Sequence, residues 1–310
     1  MIEVKNLTKH YGITVAVKDV SFSVKKGEVL GFLGPNGAGK TTTMKIITCF
    51  MPPTAGTVEV GGSDILEDPL SVREKIGYLP ENTPLYSDMT VESYLNFIAE
   101  VRRIHPRDRR ERVNRMIETC SLKGVLKKDI GALSKGFKQR VGLAQAMIHD
   151  PKILILDEPT SGLDPNQIIE IRKLIKELGK EKTIILSTHI LPEVSATCDR
   201  VIIINDGQLV ASGTPEELQN RAAGESVIYT TVKADAAKVQ TVFTSLGWVK
   251  KCSVESKQGE RARFKLLATQ DVSDPTEQLY DIAVKNGWML SELYRETLSL
   301  EDIFLKLTTS

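Results

Sequence analysis

The sequence predicts an α/β protein with a parallel sheet, followed by a small α+β domain. Three observations support this fold class. Strand and helix patterns alternate between residues 153 and 205, which is typical of a parallel sheet covered by helices. A glycine-rich segment, GPNGAGKTT, stands between an apolar strand and an apolar helix. After residue 220 the order becomes strand, helix, strand, strand, helix, strand, which predicts a ferredoxin-like α+β domain.

The composition is that of an ordinary globular protein. The 310 residues include 41 basic and 40 acidic side chains, a formal net charge of +1. Near neutrality argues against a nucleic-acid binder, so no nucleic-acid partner is expected. The four cysteines form no CxxC pair, which indicates reduced thiols and not a disulfide framework or a metal site.

Neither a signal peptide nor a membrane helix is expected. The first residues, MIEVKNLTKHYG, already follow a strand pattern. No apolar run approaches the roughly 18 residues that a membrane helix needs. We therefore expect a cytoplasmic protein whose membrane role, if it has one, comes through a partner.

The first half of the chain combines strands with a helical region. Residues 1 to about 30 alternate apolar and polar side chains, which predicts antiparallel strands with a turn at Gly27. Residues 29–33 predict a short buried strand, and residues 57–60 predict an edge strand. Residues 91–120 predict helices that break at Pro106.

The helical region carries many arginines on its expected surface. They are Arg102, Arg103, Arg107, Arg109, Arg110, Arg112 and Arg115. The first interpretation is a solvated helical face, and the second is a docking surface for an acidic partner.

The remaining elements follow from hydrophobic periodicity. Strands are predicted at 153–156, 183–187 and 200–205, and helices at 133–145, 167–178 and 192–197. The segment NRAAGE, residues 220–225, predicts a linker. Beyond it, strands are predicted at 227–232, 249–254, 262–267 and 290–295, and helices at 234–246, 275–286 and 300–307.

The glycine-rich segment predicts a phosphate-binding loop. Gly34, Gly39, Lys40 and Thr41 fit the pattern GxxxxGK[ST] directly after a strand. Glycines let backbone N–H groups turn towards phosphate oxygens, and the following helix N-terminus favours an anion. Lys40 should reach the β- and γ-phosphates, and the Thr41 hydroxyl should face magnesium. This context disfavours a merely structural turn.

Two carboxylates and a histidine complete the predicted chemistry. Asp157 ends a predicted parallel strand, where it is placed to hold magnesium. Glu158 follows and can deprotonate an attacking water. His189 follows another strand and could donate to the γ-phosphate, although a lone histidine at such a place is often structural.

With these residues in place, the chain closely resembles the ATP-binding subunits of ATP-binding-cassette (ABC) transporters. The resemblance covers about residues 1–220 and includes the family motifs in order. GPNGAGKT matches the Walker A loop, LSKGF the signature, ILILDE the Walker B strand and SGLD the D-loop. Tyr11 stands where the family has an aromatic residue that stacks on adenine. Glu81 occupies the Q-loop position, and His189 matches the switch histidine.

The resemblance implies a fold of three parts and an added domain. The P-loop ATPase cassette would comprise a parallel sheet core, an antiparallel β subdomain and a helical subdomain at about residues 85–150. Residues 221–310 would form a ferredoxin-like accessory domain without a chemical motif, with Trp248 and Trp288 in its core. We expect that domain to have a regulatory or dimer-supporting role.

The resemblance also implies which residues bind ATP and Mg²⁺. The nucleotide would contact Tyr11, Gly34, Pro35, Asn36, Gly37, Ala38, Gly39, Lys40, Thr41 and Thr42. Two subunits would pair head to tail, so that Ser134 and Gly136 complete the nucleotide site of the other subunit. Magnesium would be held by Thr41, Asp157 and Glu81, partly through water. Glu158, His189 and Lys40 would be catalytic.

Three residues depart from the family pattern. Glu81 replaces a glutamine, and a carboxylate cannot donate an amide hydrogen bond. Lys135 and Phe137 replace a glycine and a glutamine of the signature. Lys135 either adds positive charge near the phosphate or faces solvent.

Further resemblance places the chain beside efflux-type subunits that work with a separate permease. It rests on STHIL, on GQLVASGTPEEL and on SLEDIFLKL near the end. Members of this subfamily export drugs, polysaccharides or lipids, and some serve gliding motility. We therefore expect a homodimer or a paired ATPase subunit on the inner face of the membrane, bound to an integral membrane permease.

Two other functions are weighed against transport. A soluble ABC ATPase acting on ribosomes or DNA is disfavoured, because the chain has one Walker A loop and no sustained heptads. An ATP-sensing module without turnover is disfavoured by the intact Glu158 and His189.

Overall fold

The computed structural model describes residues 1–222, 226–269, 274–296 and 300–308. The chain divides into two compact units, the first formed chiefly by Met1–Pro215 and the second by Glu216–Leu305. Residues 220–222 of the predicted linker belong to a helix, and residues 223–225 lie outside the described residues. Within the described ranges, no helix is long and apolar enough to cross a lipid bilayer.

The first unit contains both strands and helices. Its elements are β1 (Ile2–Tyr11), β2 (Thr14–Val24), β3 (Val29–Leu33), α1 (Lys40–Ile47), β4 (Ala55–Val60), β5 (Ser63–Asp64), α2 (Pro69–Lys75), β6 (Ile76–Leu79), α3 (Val91–Val101), α4 (Pro106–Thr119), α5 (Lys135–Met147), β7 (Ile153–Asp157), α6 (Pro165–Gly179), β8 (Thr183–Thr188), α7 (Leu191–Thr197), β9 (Arg200–Asn205) and β10 (Gln208–Gly213). The elements that follow are α8 (Pro215–Ala222), β11 (Ser226–Lys233), α9 (Ala236–Thr244), β12 (Val249–Gln258), β13 (Arg261–Ala268), α10 (Pro275–Lys285), β14 (Met289–Glu296) and α11 (Leu300–Thr308).

The first sheet is antiparallel and has the order β2-β1-β4-β5. β1 pairs with β2 on one side and with β4 on the other. The prediction that residues 57–60 form an edge strand is therefore wrong. β4 is covered by the two-residue strand β5 through the pairs Glu59–Asp64 and Val60–Ser63, and so short a strand leaves no periodicity in the sequence.

The second sheet carries the predicted parallel core and has the order β10-β9-β3-β8-β7-β6. All residues of β3, β7 and β8 are buried, as expected for strands covered on both faces. β3 pairs in parallel with β8, and β8 with β7. The carboxyl ends of these three strands therefore lie side by side, which gathers the segments that follow them at one edge.

One of the buried clusters contains residues from both sheets of the first unit. It includes Val4 of β1, Phe32 of β3, Met44 of α1 and Ile155 of β7. Because side chains of both sheets and of α1 share this core, the loop between β3 and α1 is held at both of its ends.

The helical region lies between β6 and β7. α3 ends at Val101 and α4 begins at Pro106, in agreement with the predicted break. The Thr90 side chain caps α3 by accepting a hydrogen bond from the Ser93 N–H at 3.2 Å. α5 begins after Ser134, which caps it in the same way.

The second unit contains a four-stranded antiparallel sheet with the order β12-β13-β11-β14. α9 follows β11, and α10 follows β13. Phe243 packs edge-to-face on Phe264 and Trp288, with ring centroids 5.7 and 5.8 Å apart. Trp248 also packs against this core, as the sequence predicts for both tryptophans.

Candidate active site

The loop between β3 and α1 needs glycine at particular positions. Gly39 has a φ of 104°, and a Cβ on it would lie 2.5 Å from the Ala16 carbonyl oxygen. Gly37 has a φ of 83°. Both conformations are left-handed and strained for other residues. The loop leads into the first turn of α1, whose N–H groups have no carbonyl of the same helix to meet and are available to an anion.

Lys40, the first residue of α1, is buried and folds back over the loop. Its ammonium group donates to the carbonyl oxygens of Gly34 at 2.8 Å and Pro35 at 3.2 Å. It also lies 3.4 Å from Oε1 of Glu158, whose side chain is equally buried. These contacts hold the Lys40 ammonium group against the loop, where it could bind a phosphate.

Asp157 ends β7 and is completely buried. Within the described residues, neither of its carboxylate oxygens meets a donor with hydrogen-bond geometry. Burial raises the pKa of Asp157, and the nearby carboxylates of Glu158 and Glu81 raise it further, while the hydroxyls of Ser187 and Thr41 lower it. A buried carboxylate with free lone pairs beside other carboxylates favours a cation.

These residues fit a magnesium ion. Mg²⁺ prefers oxygen ligands and is often bound through one or two protein groups together with phosphates and water. The Asp157 carboxylate and the Thr41 hydroxyl supply such oxygens, and Glu81 stands close enough to act on the pKa of Asp157. The two orphaned oxygens of Asp157 are the observation that supports this fit.

Glu158 follows Asp157 in a left-handed conformation, with a φ of 50°. A non-glycine residue there is uncommon, and such backbone strain concentrates at functional sites. Its N–H donates to the carbonyl oxygen of Ser187 at 2.9 Å. Its carboxylate oxygen Oε2 lies 2.9 Å from Nδ1 of His189, whose side chain is 46 % exposed. The sharp turn thus places the carboxylate between a buried lysine and a half-exposed histidine.

The structure brings most of the predicted site residues to one cleft of about 370 Å³. Its walls are Ala16, Pro35, Asn36, Gly37, Gly39, Lys40, Thr41, Thr42, Glu81, Glu158, Ser161 and His189. Gly34, Ala38 and Asp157 are buried and are not among the residues that line this cleft. Tyr11 stands at the end of β1 with its hydroxyl 3.0 Å from the Met51 sulfur, outside these walls. Its contact with adenine stays a prediction.

Ser134, Gly136 and Phe137 of the signature are not among the residues that line this cleft. Gly136 lines a separate cavity with Phe137, Arg140 and Gln167. A Cβ on Gly136 would lie 2.5 Å from Oε1 of Gln167, the far end of a flexible side chain that would have to shift to admit it. The Lys135 ammonium group occupies the space where a Cβ on Gly162 would stand. Lys135, which differs from the family pattern, therefore contacts the D-loop of its own chain.

Three further residues belong to this site although the sequence did not predict them there. Ser161 lines the cleft, and its place in the SGLD motif could have indicated it. Ala16 on β2 also lines the cleft, and no motif in the sequence around it indicates this. The buried Ser187 hydroxyl lies beside Asp157, and its position at the end of β8 next to β7 could have suggested this contact.

Comparison with known proteins supports the same assignment. Residues 17–161 match the family model described as ABC transporter. The chain is 35% identical to an uncharacterized ABC transporter ATP-binding protein, YxlF, of Bacillus subtilis (strain 168), over 99% of both chains. It is 33% identical to the linearmycin resistance ATP-binding protein LnrL of the same organism, over 99% of this chain and 98% of that one.

Solved structures show the same fold for the first unit. The dimeric ATP-binding cassette MJ0796, in a post-hydrolysis state bound to ADP and Pi, matches with a TM-score of 0.64 at 27% identity. The match covers 69% of this chain and 98% of that one. The expected family is confirmed, and with it the P-loop cassette fold of mixed sheets. The chain belongs to the ATP-binding proteins of ABC transporters.

Proposed function

We propose that the chain binds and hydrolyses ATP, dimerises around two ATP molecules and drives a separate membrane permease for export. The observation that carries this proposal is the convergence of Lys40, Glu158 and His189 on the cleft lined by the glycine-rich loop. It supplies phosphate binding and a general base in one place.

The loop residues would hold the nucleotide. The N–H groups at the start of α1 would point at the phosphates, and Lys40 would exchange its contact with Glu158 for the β- and γ-phosphates. Thr41 and Asp157 would hold magnesium, with Glu81 acting through water, and the ion would neutralise developing charge on the phosphates. Tyr11 would stack on the adenine, as the family resemblance implies.

Glu158 would act on the attacking water. Its carboxylate would accept a proton as the water oxygen bonds to the γ-phosphorus and the bond to the leaving oxygen of ADP breaks. His189, whose Nδ1 lies 2.9 Å from this carboxylate, would orient it and reach the γ-phosphate with its other ring nitrogen. ADP and phosphate are the products.

A second copy of the chain would complete each site. Ser134 caps α5 by accepting from the Phe137 N–H at 3.4 Å, and Ser134 is exposed. The start of α5 could therefore meet a γ-phosphate bound to another subunit, with the dipole of the helix favouring its charge. The dimeric form of the similar cassette MJ0796 supports this pairing.

A second cleft of the first unit, of about 740 Å³, suits the permease. It exposes three large apolar side chains, Phe50 (70 %), Leu70 (69 %) and Val101 (58 %). Exposed apolar surface in a groove of this size is typical of a protein interface. We assign it to a helix from a cytoplasmic loop of the permease, because transport requires a membrane partner and YxlF is named an ABC transporter ATP-binding protein.

The same segment of chain reaches both clefts. Tyr78 lines the apolar cleft, and Glu81, three residues later, lines the nucleotide cleft. Arg102 and Arg103 also line the apolar cleft, which supports the docking interpretation for this end of the arginine-rich surface. Movement around the nucleotide would thus be transmitted to the permease through residues 78–81.

We assign the chain to the efflux-type subfamily and the second unit to a ferredoxin-like accessory domain. The strand order β12-β13-β11-β14 with two helices supports the latter, and we assign this domain a regulatory or dimer-supporting role. Similarity to the linearmycin resistance protein LnrL supports drug export over gliding motility. The chain would lie on the cytoplasmic face of the membrane, bound through the permease.

Two measurements test this function. Purified chain should release phosphate from ATP in a magnesium-dependent steady state, which an ATP sensor without turnover would not do. A tagged chain, isolated from detergent-solubilised membranes, should carry an integral membrane protein that can be identified by sequencing. Co-purification of ribosomes or DNA instead would support the soluble alternative and contradict the transport role.

A further inference from the structure

Glu193 of α7 is a buried carboxylate outside the nucleotide cleft. It is 1 % exposed, and none of the motifs in the sequence includes it. A buried carboxylate is costly unless its oxygens are paired and hydrogen-bonded. Its partners therefore indicate what this side chain holds in place.

The partners of Glu193 come from three different segments. Oε2 accepts a hydrogen bond from the Thr160 hydroxyl at 2.8 Å and another from the Thr188 hydroxyl at 3.2 Å. Oε1 lies 3.6 Å from a guanidinium nitrogen of Arg172 on α6. Thr160 comes two residues after Glu158, and Thr188 directly precedes His189.

These contacts close a ring around the proposed catalytic pair. At one side, Glu158 and His189 meet at 2.9 Å. At the other side, Glu193 joins Thr160 to Thr188, so both segments are tied to one carboxylate. A shift of either threonine would therefore change the distance between Glu158 and His189.

Helix capping alone does not account for this arrangement. Glu193 lies in the first turn of α7, where a carboxylate commonly accepts from free N–H groups of the helix. Its side chain instead accepts from two side-chain hydroxyls. The Ile190 N–H is already bonded to the Thr188 hydroxyl at 3.1 Å, which fixes this threonine from a second direction.

We infer that Glu193, through Thr160 and Thr188, is a positioning residue that holds Glu158 and His189 in register for ATP hydrolysis. This inference rests on the proposed ATPase function. Glu193, Thr160 and Thr188 are not among the residues that line the nucleotide cleft, so loss of their contacts should slow the chemical step and leave nucleotide binding intact.

The test replaces one hydroxyl of the ring by a methyl group of the same shape. Thr160→Val should lower kcat for ATP by about 10- to 100-fold, the range expected when a reacting group is misplaced. KM and the nucleotide dissociation constant should change less than twofold. Thr160→Ser restores the hydroxyl and should recover most of the rate, and Glu193→Gln should fall between the two.

Thr183→Val is the matched control. Thr183 is a buried threonine at the opposite end of β8, and its hydroxyl accepts from the Gly27 N–H at 2.9 Å. This variant loses a buried hydrogen bond without touching the ring. It should lower the melting temperature comparably while kcat stays at the level of the unaltered chain.

A double-mutant cycle with His189→Ala separates positioning from general destabilisation. If Thr160 acts through the Glu158–His189 pair, adding Thr160→Val to His189→Ala should cost less than a further twofold in kcat. Fully multiplicative losses, or an unchanged rate for Thr160→Val alone, would overturn the inference while the ATPase function stands. Absence of hydrolysis by the unaltered chain would instead overturn the proposed function, and this inference with it.

Discussion

Lys40 Nζ lies 3.4 Å from Glu158 Oε1, so the lysine that should bind the phosphates is paired with the glutamate that should activate water. Both side chains are buried, which makes their separation costly without a substitute partner. A nucleotide phosphate supplies that substitute for Lys40. Binding would then free Oε1 of Glu158 for the attacking water, while Oε2 keeps its contact with His189.

Replacing Lys40 by alanine should abolish most nucleotide binding. The loss of a charge-assisted contact to phosphate corresponds to at least about tenfold weaker binding. The variant also leaves the Glu158 carboxylate and two loop carbonyl oxygens without their cation, so its melting temperature should fall. Titration calorimetry with ATP measures the affinity, and Lys26→Ala, at an exposed turn, is the control. Equal affinity in the two variants would contradict the phosphate-loop assignment.

Gly39→Ala should destabilise the fold more than Gly27→Ala. Both glycines have positive φ, so each substitution carries a strain of about 1–2 kcal/mol. A Cβ on Gly39 would also lie 2.5 Å from the Ala16 carbonyl oxygen, whereas nothing lies within 4 Å of one on Gly27. Urea unfolding of the two variants measures the difference. A smaller free-energy loss for Gly39→Ala would show that the loop geometry is wrong.

The grouping of site residues at the carboxyl ends of the parallel strands could be predicted from sequence, because these strands carry strong local patterns. The apolar runs of β3, β7 and β8 end directly before the glycine-rich loop, Asp157 and His189. Since carboxyl ends of parallel strands share an edge, these motifs had to meet. Five other elements, α2, α8, β5, β6 and β10, were missed. The helices α2 and α8 have only seven and eight residues, about two turns, which gives a weak periodic signal. β5 and β6 are too short for a periodic signal, and β10 pairs antiparallel with β9 at the sheet edge.

The contacts of single side chains lay beyond sequence analysis for a different reason. Glu193 is five residues from Thr188 but more than thirty from Thr160, and only the neighbouring ends of β7 and β8 bring them together. The contact of Lys135 with Gly162 likewise depends on how α5 packs beside the D-loop. Such contacts follow from tertiary packing, which leaves no spacing pattern along the chain.

Phe50→Asp should break permease binding without lowering the basal ATPase rate. Phe50 is 70 % exposed in the apolar cleft, and a carboxylate there would have to be desolvated under a docked helix. Pull-down of the co-expressed permease measures the effect. Tyr280→Asp, at an exposed aromatic of the second unit, is the control and should bind normally. If the Phe50 variant retained the permease, the surface of the chain that docks the permease would lie elsewhere.

Stability should fall in mild acid, partly through His149. Burial lowers the pKa of His149 to about 4, with Arg102 and Lys182 adding to this effect and Asp150 opposing it. The folded state therefore resists protonation that the unfolded chain accepts below about pH 6.5. Its contribution to stability is complete above that pH and is lost as the pH falls towards 4.

Urea unfolding of the unaltered chain and of His149→Gln at pH 7 and pH 5 tests this contribution. Glutamine can still donate to the Ile76 carbonyl oxygen, which His149 contacts at 3.1 Å, but it does not titrate. The unaltered chain should lose more free energy of unfolding between the two pH values than the variant. An equal loss would assign the acid sensitivity to other groups.

The most direct test of the central claim compares the unaltered chain with Glu158→Gln in ATP and magnesium. Phosphate release reports hydrolysis, and light scattering reports the mass of the particle. We expect the unaltered chain to release phosphate steadily. The variant should release phosphate at least about 100-fold more slowly, as expected when a general base is removed. It should also accumulate as an ATP-bound dimer. Hydrolysis at an equal rate by both proteins would contradict the account.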